Sequence, residues 1–256
     1  MSYKVIQPSL ELKDLVSHFW AGKWHNSAKA DSAYFSTANT QTELAFGFHY
    51  SFGNTHPELI FSTILGHTEN FRQFPMNGMI DLFGVSLFSH AIPLFFDIST
   101  SDLTNEVLDV EDLLNGQGQM INEKLTAATD AAQRVKILTD FFKSQLAKRY
   151  FEDKAILNAI NQIRQLKGII KVSCLATESC LSQKQFERRF MGYTGFNPKL
   201  YSRIIRFETA VSNSHSYDTL TEIAYDLGYH DQAHFIHEFK KFSGFSPNKF
   251  LSLTNY

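Results

Sequence analysis

Hydrophobic and polar residues alternate through much of the first ninety positions, which is the pattern of half-buried β-strands. The segments ELAFGFHYSFG (43–53), ELIFSTILG (58–66) and MIDLFGVSLFS (79–89) predict three such strands, each bounded by Gly, Pro or Asn. One face of the first strand carries Leu44, Phe46, Phe48, Tyr50 and Phe52. Several short strands separated by turn residues predict a β-rich domain, a small barrel or sandwich.

From about residue 102 the apolar spacing changes to the three- and four-residue steps of amphipathic helices. The segment 126–149 predicts a long helix, with Asp130 near its start and Lys148-Arg149 near its end, as the helix dipole favours. Its apolar stripe consists of Val135, Leu138, Phe142 and Leu146. The stripe is only about two heptads long. It could form a dimer seam or pack against the β part, and both readings stay open.

From about residue 153 to the end the pattern predicts only helices and turns. A helix at 153–168 has Gly168 as its expected C-cap. Two further helices, at 197–211 and from 246, each begin with a polar residue followed by proline: Asn197-Pro198 and Ser246-Pro247.

A repeat connects these helices. The stretches TGFNPKLY (194–201) and SGFSPNKF (243–250) resemble each other, and so do the residues before them. Leu175-Ala176 corresponds to Ile223-Ala224 at a shift of 48 residues, and later positions correspond at a shift of 49. The later pairs are Phe186 with Phe235, Phe190 with Phe239, Gly195 with Gly244, Phe196 with Phe245, and Pro198 with Pro247. The extra residue fits a turn near 180–182 or 228–230, so each unit is predicted to be a helix-turn-helix.

The second helix of each unit buries a pair of phenylalanines and turns its other face outward. That face carries Gln183, Lys184, Glu187 and Arg188 in the first unit, and Gln232, His234, His237, Lys240 and Lys241 in the second. Arg and Gln can read base edges in a major groove, and Lys and Arg can hold phosphates. This composition favours DNA binding over a purely structural helical repeat. The charge agrees, since residues 152–256 hold 13 Lys+Arg and 10 Asp+Glu, whereas residues 1–151 hold 11 and 16.

The sequence IAYDLGYHDQAHFIHEFKKFSGFSPNKF (223–250) is similar to the signature of AraC/XylS-family transcription regulators, and the resemblance extends over about 153–252. It implies seven helices, two helix-turn-helix units joined by a linker helix at 197–211, and recognition helices in successive major grooves about 34 Å apart. It implies base contacts from Gln183, Lys184, Glu187, Arg188, Gln232, His234 and His237, with Lys240 and Lys241 near the phosphate backbone. Cys180 departs from the family's usual glycine, and Ala233 from a frequent polar contact.

The N-terminal part resembles the sensor domains that precede this DNA-binding unit in the family, with a cupin-like β part and a helical part. We therefore expect domains at 1–150 and 151–256, and a fold of the α+β class. The resemblance implies effector sensing or dimerisation. The residues expected to line an effector site are Phe48, Phe61, Phe83 and Phe88, with His67 and Arg72 at its polar end. Double-stranded DNA is the expected partner, and RNA polymerase, a small-molecule effector and a second copy of the chain are further candidate partners.

Other classes of function find less support. The chain lacks the G-x-S-x-G, P-loop, H-E-x-x-H and G-x-G-x-x-G motifs, and His49, His56 and His67 do not have the spacing of a cupin metal site, so no enzyme is expected. His230, His234 and His237 could share a helix face, but a zinc site would need a fourth ligand. We expect no metal and no cofactor.

The two cysteines, Cys174 and Cys180, predict free thiols that are buried or half-buried. No signal peptide or membrane-length apolar run is evident, which predicts a cytoplasmic protein without membrane contact. The sequence thus predicts a transcription regulator that binds specific DNA. It is expected to be an activator, and repression is the other possibility. The alternative is an effector-binding or adaptor protein whose helical repeat contacts another protein.

Overall fold

The computed structural model describes residues 2–25, 33–50, 57–76, 78–114, 116–148, 153–214 and 217–254. The chain forms two compact units. The first comprises 1–33, 41–67 and 75–151, and the second comprises 34–40, 68–74 and 152–256. The boundary expected at 150/151 falls in 149–152, outside the described residues.

The first unit is built on an antiparallel β-sheet, which confirms the predicted β-rich domain. The strands of the chain are β1 (Ser2–Ile6), β2 (Val16–His25), β3 (Ala33–Ser36), β4 (Gln41–His49), β5 (Glu58–Leu65), β6 (Arg72–Pro75), β7 (Met79–Phe88) and β8 (Val107–Asp109). Six of them form one sheet in the order β1-β2-β7-β4-β5-β8, and β3 pairs with β6 separately. The strand predicted at 43–53 ends at His49. Tyr50 is 43% exposed, and Phe52 lies outside the described residues.

Four helices of the first unit cover one face of the sheet: α1 (Ile92–Phe95), α2 (Val110–Leu114), α3 (Gln117–Ala127) and α4 (Ala131–Leu146). Asp130 caps α4 by accepting a hydrogen bond from the Gln133 N–H, as its position near the predicted start suggested. Leu138 and Phe142 of the predicted stripe are fully buried in the core beside Phe46 and Phe83. The stripe is therefore used inside the unit, which favours core packing over a dimer seam, the two readings that its sequence left open.

The second unit contains seven helices in its described residues, as predicted: α5 (Lys154–Gln165), α6 (Val172–Glu178), α7 (Gln183–Thr194), α8 (Pro198–Ser212), α9 (Leu220–Asp226), α10 (Gln232–Ser243) and α11 (Pro247–Thr254). Asn197 caps α8 through the Leu200 N–H, and Pro198 occupies the first helical position. One hydrophobic core joins the helices, and both phenylalanine pairs of the repeat are buried in it.

Strands β3 and β6 are the part of the fold that sequence reasoning did not anticipate. They lie in the N-terminal half of the sequence, yet residues 34–40 and 68–74 belong to the helical unit. Ala38 is 1% exposed within the helical core, and its N–H donates to the carbonyl of Phe242 at 2.9 Å. The helical unit is therefore assembled from three separate stretches of chain. None of the described helices is both long and apolar enough to cross a membrane.

Candidate DNA-binding surface

The second compact unit contains two helix-turn-helix motifs at the positions that the repeat predicted. The first is α6 and α7 with a turn at 179–182, and the second is α9 and α10 with a turn at 227–231. The first helix of each buries the predicted pair, Leu175-Ala176 or Ile223-Ala224, at 4% exposure or less. The second turn is one residue longer, so the gap in the repeat lies in a turn, as expected.

The turns contain a left-handed residue at the same place. Gly228 has φ +67° and Cys180 has φ +54°, so the first repeat holds a cysteine in a conformation that favours glycine. Both Cys174 and Cys180 are free and exposed, and the expectation that they are buried or half-buried is wrong. Each lies on a polar face of its helix or turn, whereas Leu175 and Ala176 face the core.

The repeated small-Gly-Phe stretch is a hydrogen-bonded junction between two helices. The Thr194 hydroxyl donates to the carbonyl of Phe190 or Phe196, both 3.0 Å away, and it accepts from the Phe196 N–H. Ser243 makes the same three contacts with Phe239 and Phe245. The glycine that follows each hydroxyl residue ends the recognition helix with φ +72° or +76°. The small residue and the glycine thus fix the angle at which α7 leads to α8 and α10 leads to α11.

The outward face of α7 carries the side chains predicted to contact bases. Gln183, Lys184 and Arg188 are exposed, and Glu187 is half-buried. The Gln183 amide donates to Glu187 Oε1 at 2.9 Å, which orients both along the helix. Ser182 begins the helix with a capping box that includes Gln185. Lys184 and Arg188 are four residues apart, so they share one side of this face.

Arg189, the neighbouring arginine of α7, has a structural role. Its Nε donates to Asp153 Oδ2 at 2.7 Å, and its Nη2 contacts the same oxygen. The Asp153 N–H in turn donates to the Tyr193 hydroxyl at 2.8 Å. These contacts join α7 to the start of α5, so Arg188 and Arg189 differ in availability although they are adjacent in sequence.

The outward face of α10 is more strongly tied to its surroundings. Gln232 Oε1 accepts a 2.9 Å hydrogen bond from the Thr221 hydroxyl of α9, which leaves its amide NH₂ directed elsewhere. The His234 ring lies edge-on to Tyr229, and its Nε2 is 3.9 Å from Glu238 Oε2. His237 and Lys240 are exposed. Asp231 caps the helix through the His234 N–H at 2.7 Å, and this bond lowers the pKa of Asp231.

A buried ion pair supports α10 from behind. The Glu238 side chain is 4% exposed and accepts from Arg203 Nε of α8 at 2.8 Å. The Arg203 guanidinium also lies over the Phe242 ring, 5.4 Å from its centroid. The second recognition helix is thereby connected to the linker helix through charge as well as hydrophobic packing.

Residues 34–40 and 68–74 add a second set of supports, here called the clasp. The Thr40 N–H donates to Glu208 Oε1 of α8 at 2.6 Å, and the Thr40 hydroxyl lies 3.1 and 3.2 Å from the two carboxylate oxygens. Burial raises the pKa of Glu208 to about 7, although these hydrogen bonds and the charge of Arg164 act in the opposite direction. The clasp therefore ties a stretch from the N-terminal part of the chain to the linker helix.

The clasp also packs on the junction after α10. Phe35 stacks on Phe71 with 5.7 Å between ring centroids, and both rings meet the edge of Phe245 at 5.5 and 5.2 Å. Lys241 Nζ lies 3.9 Å from Glu69 Oε2. The predicted phosphate contact Lys241 therefore lies beside a carboxylate of the clasp, and both Lys240 and Lys241 are exposed. Phe196, the counterpart in the first repeat, is buried among helices instead.

The six residues expected to line an effector site do not come together. Phe48 and Phe83 are fully buried in the sheet–helix core, whereas Phe61 packs on the opposite face with Trp20 and Ala45. Arg72 belongs to β6 in the other unit, and Phe88 is 8% exposed beside His90. Strand alternation separates Phe48 from Phe61, because cross-strand neighbours must share a face to line one site.

His67 is also unsuited to its expected role at the polar end of such a site. It is fully buried, with Nδ1 3.2 Å from the Thr42 hydroxyl and Nε2 2.8 Å from the Thr104 hydroxyl. Burial lowers its pKa to about 4, so the ring is neutral at neutral pH. Both ring nitrogens are used within the fold, and the expectation that His67 orients a ligand is wrong.

Comparison with known families agrees with this geometry. Residues 175–252 match a family described as a helix-turn-helix domain, and residues 4–109 match one described as a domain of unknown function, DUF6597. The first match covers both units of the repeat and confirms the predicted AraC-type DNA-binding domain. No curated protein sequence matches the chain.

The fold is similar to that of ToxT from Vibrio cholerae. One ToxT structure at 1.65 Å resolution matches with a TM-score of 0.52 and 13% identity, over 93% of this chain and 99% of that chain. A structure of ToxT from strain O395 bound to (E)-4-(8-methylnaphthalen-1-yl)but-3-enoic acid matches with a TM-score of 0.50 and 11% identity, over 99% of each chain. At these identities the similarity concerns the fold, and it confirms the predicted combination of a β-rich part with a C-terminal helical part.

Proposed function

We propose that the protein is a transcription regulator that reads a specific DNA sequence with α7 and α10. The observation that carries this proposal is that α7 and α10 expose similar outward faces. Two helices, held in equivalent junctions by Thr194 and Ser243, each present an outward row of polar and basic side chains. A scaffold repeat would have no need to expose Lys184 and Arg188 together on one face while Arg189 is paired.

The outward faces of α7 and α10 carry different side chains and are expected to read different bases. On α7, Arg188 offers a fork of donors suited to guanine, and Lys184 suits a guanine edge or a phosphate. On α10, the Gln232 carbonyl is occupied by Thr221, so its NH₂ is available to an acceptor such as N7 or O4 in the groove. His237 can donate to a base or a phosphate, and Lys240 suits a phosphate. An asymmetric operator follows from this difference.

The first unit is proposed to regulate the second by binding a small molecule. The support is its fold, since a structure of ToxT with a similar fold holds an arylbutenoic acid. Because the expected lining residues are scattered, the effector site must be sought elsewhere in the unit. RNA polymerase and a second copy of the chain remain candidate partners of a regulator of this kind.

The alternative is that the exposed faces of α7 and α10 contact another protein. The available features favour DNA, because the outward faces of α7 and α10 carry more basic than acidic side chains. A protein-binding face would be expected to expose aromatic anchors, and the aromatic residues of both helices are buried.

The test measures the affinity for an operator duplex of the full chain with two substitutions on α7, Lys184→Ala and Arg188→Ala. This double variant should bind the duplex at least about 30-fold more weakly, because each lost contact costs about 1–3 kcal/mol. The unfolding midpoint should stay unchanged, since both side chains are exposed. The matched control is Lys124→Ala plus Lys136→Ala, which removes two exposed charges from the first unit. Equal affinities of the two double variants would contradict DNA reading by α7.

A further inference from the structure

The first unit contains a buried arginine whose charge is not matched by an acidic partner. Arg134 of α4 is 6% exposed, and among the described residues no carboxylate lies within ion-pair distance of it. Its guanidinium lies 3.7 Å from the centroid of the Phe48 ring, and its Nε donates to the carbonyl of Leu125 at 3.2 Å. Its Nη2 is buried and finds no hydrogen-bond partner among the residues that the structure describes.

Such an arrangement is costly unless a partner is supplied. A buried cation loses its hydration, and the ring and one carbonyl only partly replace it. Buried polar atoms usually have a hydrogen-bond partner, and an exception in a folded protein calls for an explanation. A replacement of Arg134 by an uncharged residue would remove this cost, so the charge requires a reason other than packing.

Arg134 lines a cavity that could supply the partner. The cavity has a volume of about 300 Å³ and lies between β1, β2, β7 and the start of α4. Lys4, Lys23, Tyr50, Asp81 and Asp130 also line it. Its walls therefore combine three cationic side chains with two acidic ones.

Both acids of the cavity have partners of their own. Asp130 Oδ1 accepts from the Gln133 N–H at 2.8 Å as the cap of α4. Asp81 is 3.7 Å from Lys23 Nζ. Neither forms an ion pair with Arg134, and three cationic side chains against two carboxylates leave the cavity with one excess positive charge. The first turn of α4 opens onto the same space and adds to the positive potential.

We propose that this cavity binds a small organic acid, with its carboxylate paired to Arg134. A carboxylate in the cavity would supply the counter-charge that the buried guanidinium lacks. The volume lies at the lower end of the range of ligand pockets, which suits a compact acid. Tyr50 and Leu82 offer apolar surface for its body. A role of this acid as the effector rests on the proposed regulatory function, whereas its binding does not.

The experiment is calorimetric titration of the full chain with hexanoate and benzoate at neutral pH. Their uncharged counterparts, 1-hexanol and benzyl alcohol, and inorganic phosphate are the comparison probes. The variants are Arg134→Gln, Arg134→Lys and the control Lys136→Gln on the exposed side of the same helix. At least one carboxylate should bind the wild type and the control with a Kd of about 1 mM or tighter, and the alcohols should bind at least about tenfold more weakly. Arg134→Gln should lose at least about tenfold in affinity, and Arg134→Lys should recover part of it.

Any of the following results would overturn the proposal: no binding of either carboxylate, equal binding of acids and alcohols, or unchanged carboxylate binding by Arg134→Gln. Inorganic phosphate binding as tightly as the acids would also overturn it, because the site would then take any small anion. The comparison of acids with alcohols uses the wild type, so the test holds even if Arg134→Gln fails to fold. DNA binding by the same preparation distinguishes failure of this site from failure of the proposed regulator function.

Discussion

At the scale of single residues, the left-handed turn position gives a direct comparison between the two repeats. A left-handed backbone costs a residue with a side chain about 1–2 kcal/mol, and Cys180 bears this cost whereas Gly228 does not. The departure of Cys180 from glycine was visible in the sequence, but only the φ angle shows that the turn itself is unchanged.

Cys180→Gly should therefore raise the free energy of unfolding by about 0.5–1 kcal/mol, after the greater flexibility of glycine in the unfolded chain is subtracted. Cys180→Ala should stay near the wild type, since it removes the thiol and keeps the strain. Gly228→Ala should lower the free energy of unfolding by about 1 kcal/mol through backbone strain alone, because an added Cβ would come no closer than 3.4 Å to Ile169. Urea unfolding measures all three, and a destabilised Cys180→Gly would contradict the comparison.

Glu208 predicts a pH dependence. Its pKa of about 7 in the folded chain lies above its ordinary value of 4.5, so protonation favours the folded state. Its contribution to stability is full below about pH 4.5, decreases as the pH rises toward 7, and is absent above 7. Arg164 and Thr40 face the carboxylate, and both favour its charged form, but burial outweighs them.

Glu208→Gln should remove this dependence while keeping a carbonyl acceptor for Thr40. The variant should be more stable than the wild type at pH 8, by about 1–3 kcal/mol, and close to it at pH 5. The difference between the two unfolding curves at the two pH values is the measurement, because other titrating groups contribute equally to both proteins. A difference that does not grow with pH would show that the carboxylate is better hydrated than its burial suggests.

At the scale of elements, the clasp distinguishes the two repeats. The junction after α7 is supported by helices alone, whereas that after α10 is covered by Phe35 and Phe71. The helices of the repeat and the outward faces of α7 and α10 could be predicted, because they follow from spacing within each segment. Two boundaries were wrong: the helix predicted at 126–149 begins at Ala131, and α5 ends at Gln165 with Leu166 rather than Gly168 as its C-cap. The clasp could not, since its strands are four residues long and its partner Glu208 lies 168 residues from Thr40.

The effector-site prediction failed for a related reason. Alternation correctly placed Phe46 and Phe48 on one strand face, but it does not reveal which neighbouring strand shares that face. Arg134 lay within a helix that was predicted from its apolar stripe, and a single charge on an amphipathic helix is normally exposed. Its burial depends on packing against Phe48, which the local pattern does not contain.

Phe71→Ala should loosen the second repeat and spare the first. The ring contacts two aromatic partners and is half-buried, so its loss should cost about 1–2 kcal/mol. Amide hydrogen exchange should accelerate at 239–246 and remain unchanged at 190–197, which serve as the internal control. Equal acceleration in both segments would indicate global destabilisation and would contradict a local role for the clasp.

At the scale of the whole molecule, the distribution of charge matters more than the total. The net charge of −2 conceals an acidic excess in residues 1–151 and a basic excess in residues 152–256. Binding to a polyanion through a few cationic side chains releases counterions, so affinity must fall as salt concentration rises. Lys240 of α10 is exposed and Lys241 is close to Glu69. The decrease of DNA affinity with salt concentration should therefore be modest.

The most direct measurement of DNA reading is selection of bound duplexes from a random pool with the full chain, at two salt concentrations. The expected result is one enriched, asymmetric motif with two contact blocks about one helical turn apart, and with weaker binding at the higher salt. Lys184→Ala plus Arg188→Ala should erase one block and leave the other. Retention of duplexes without an enriched motif at either salt would contradict sequence-specific reading by α7 and α10.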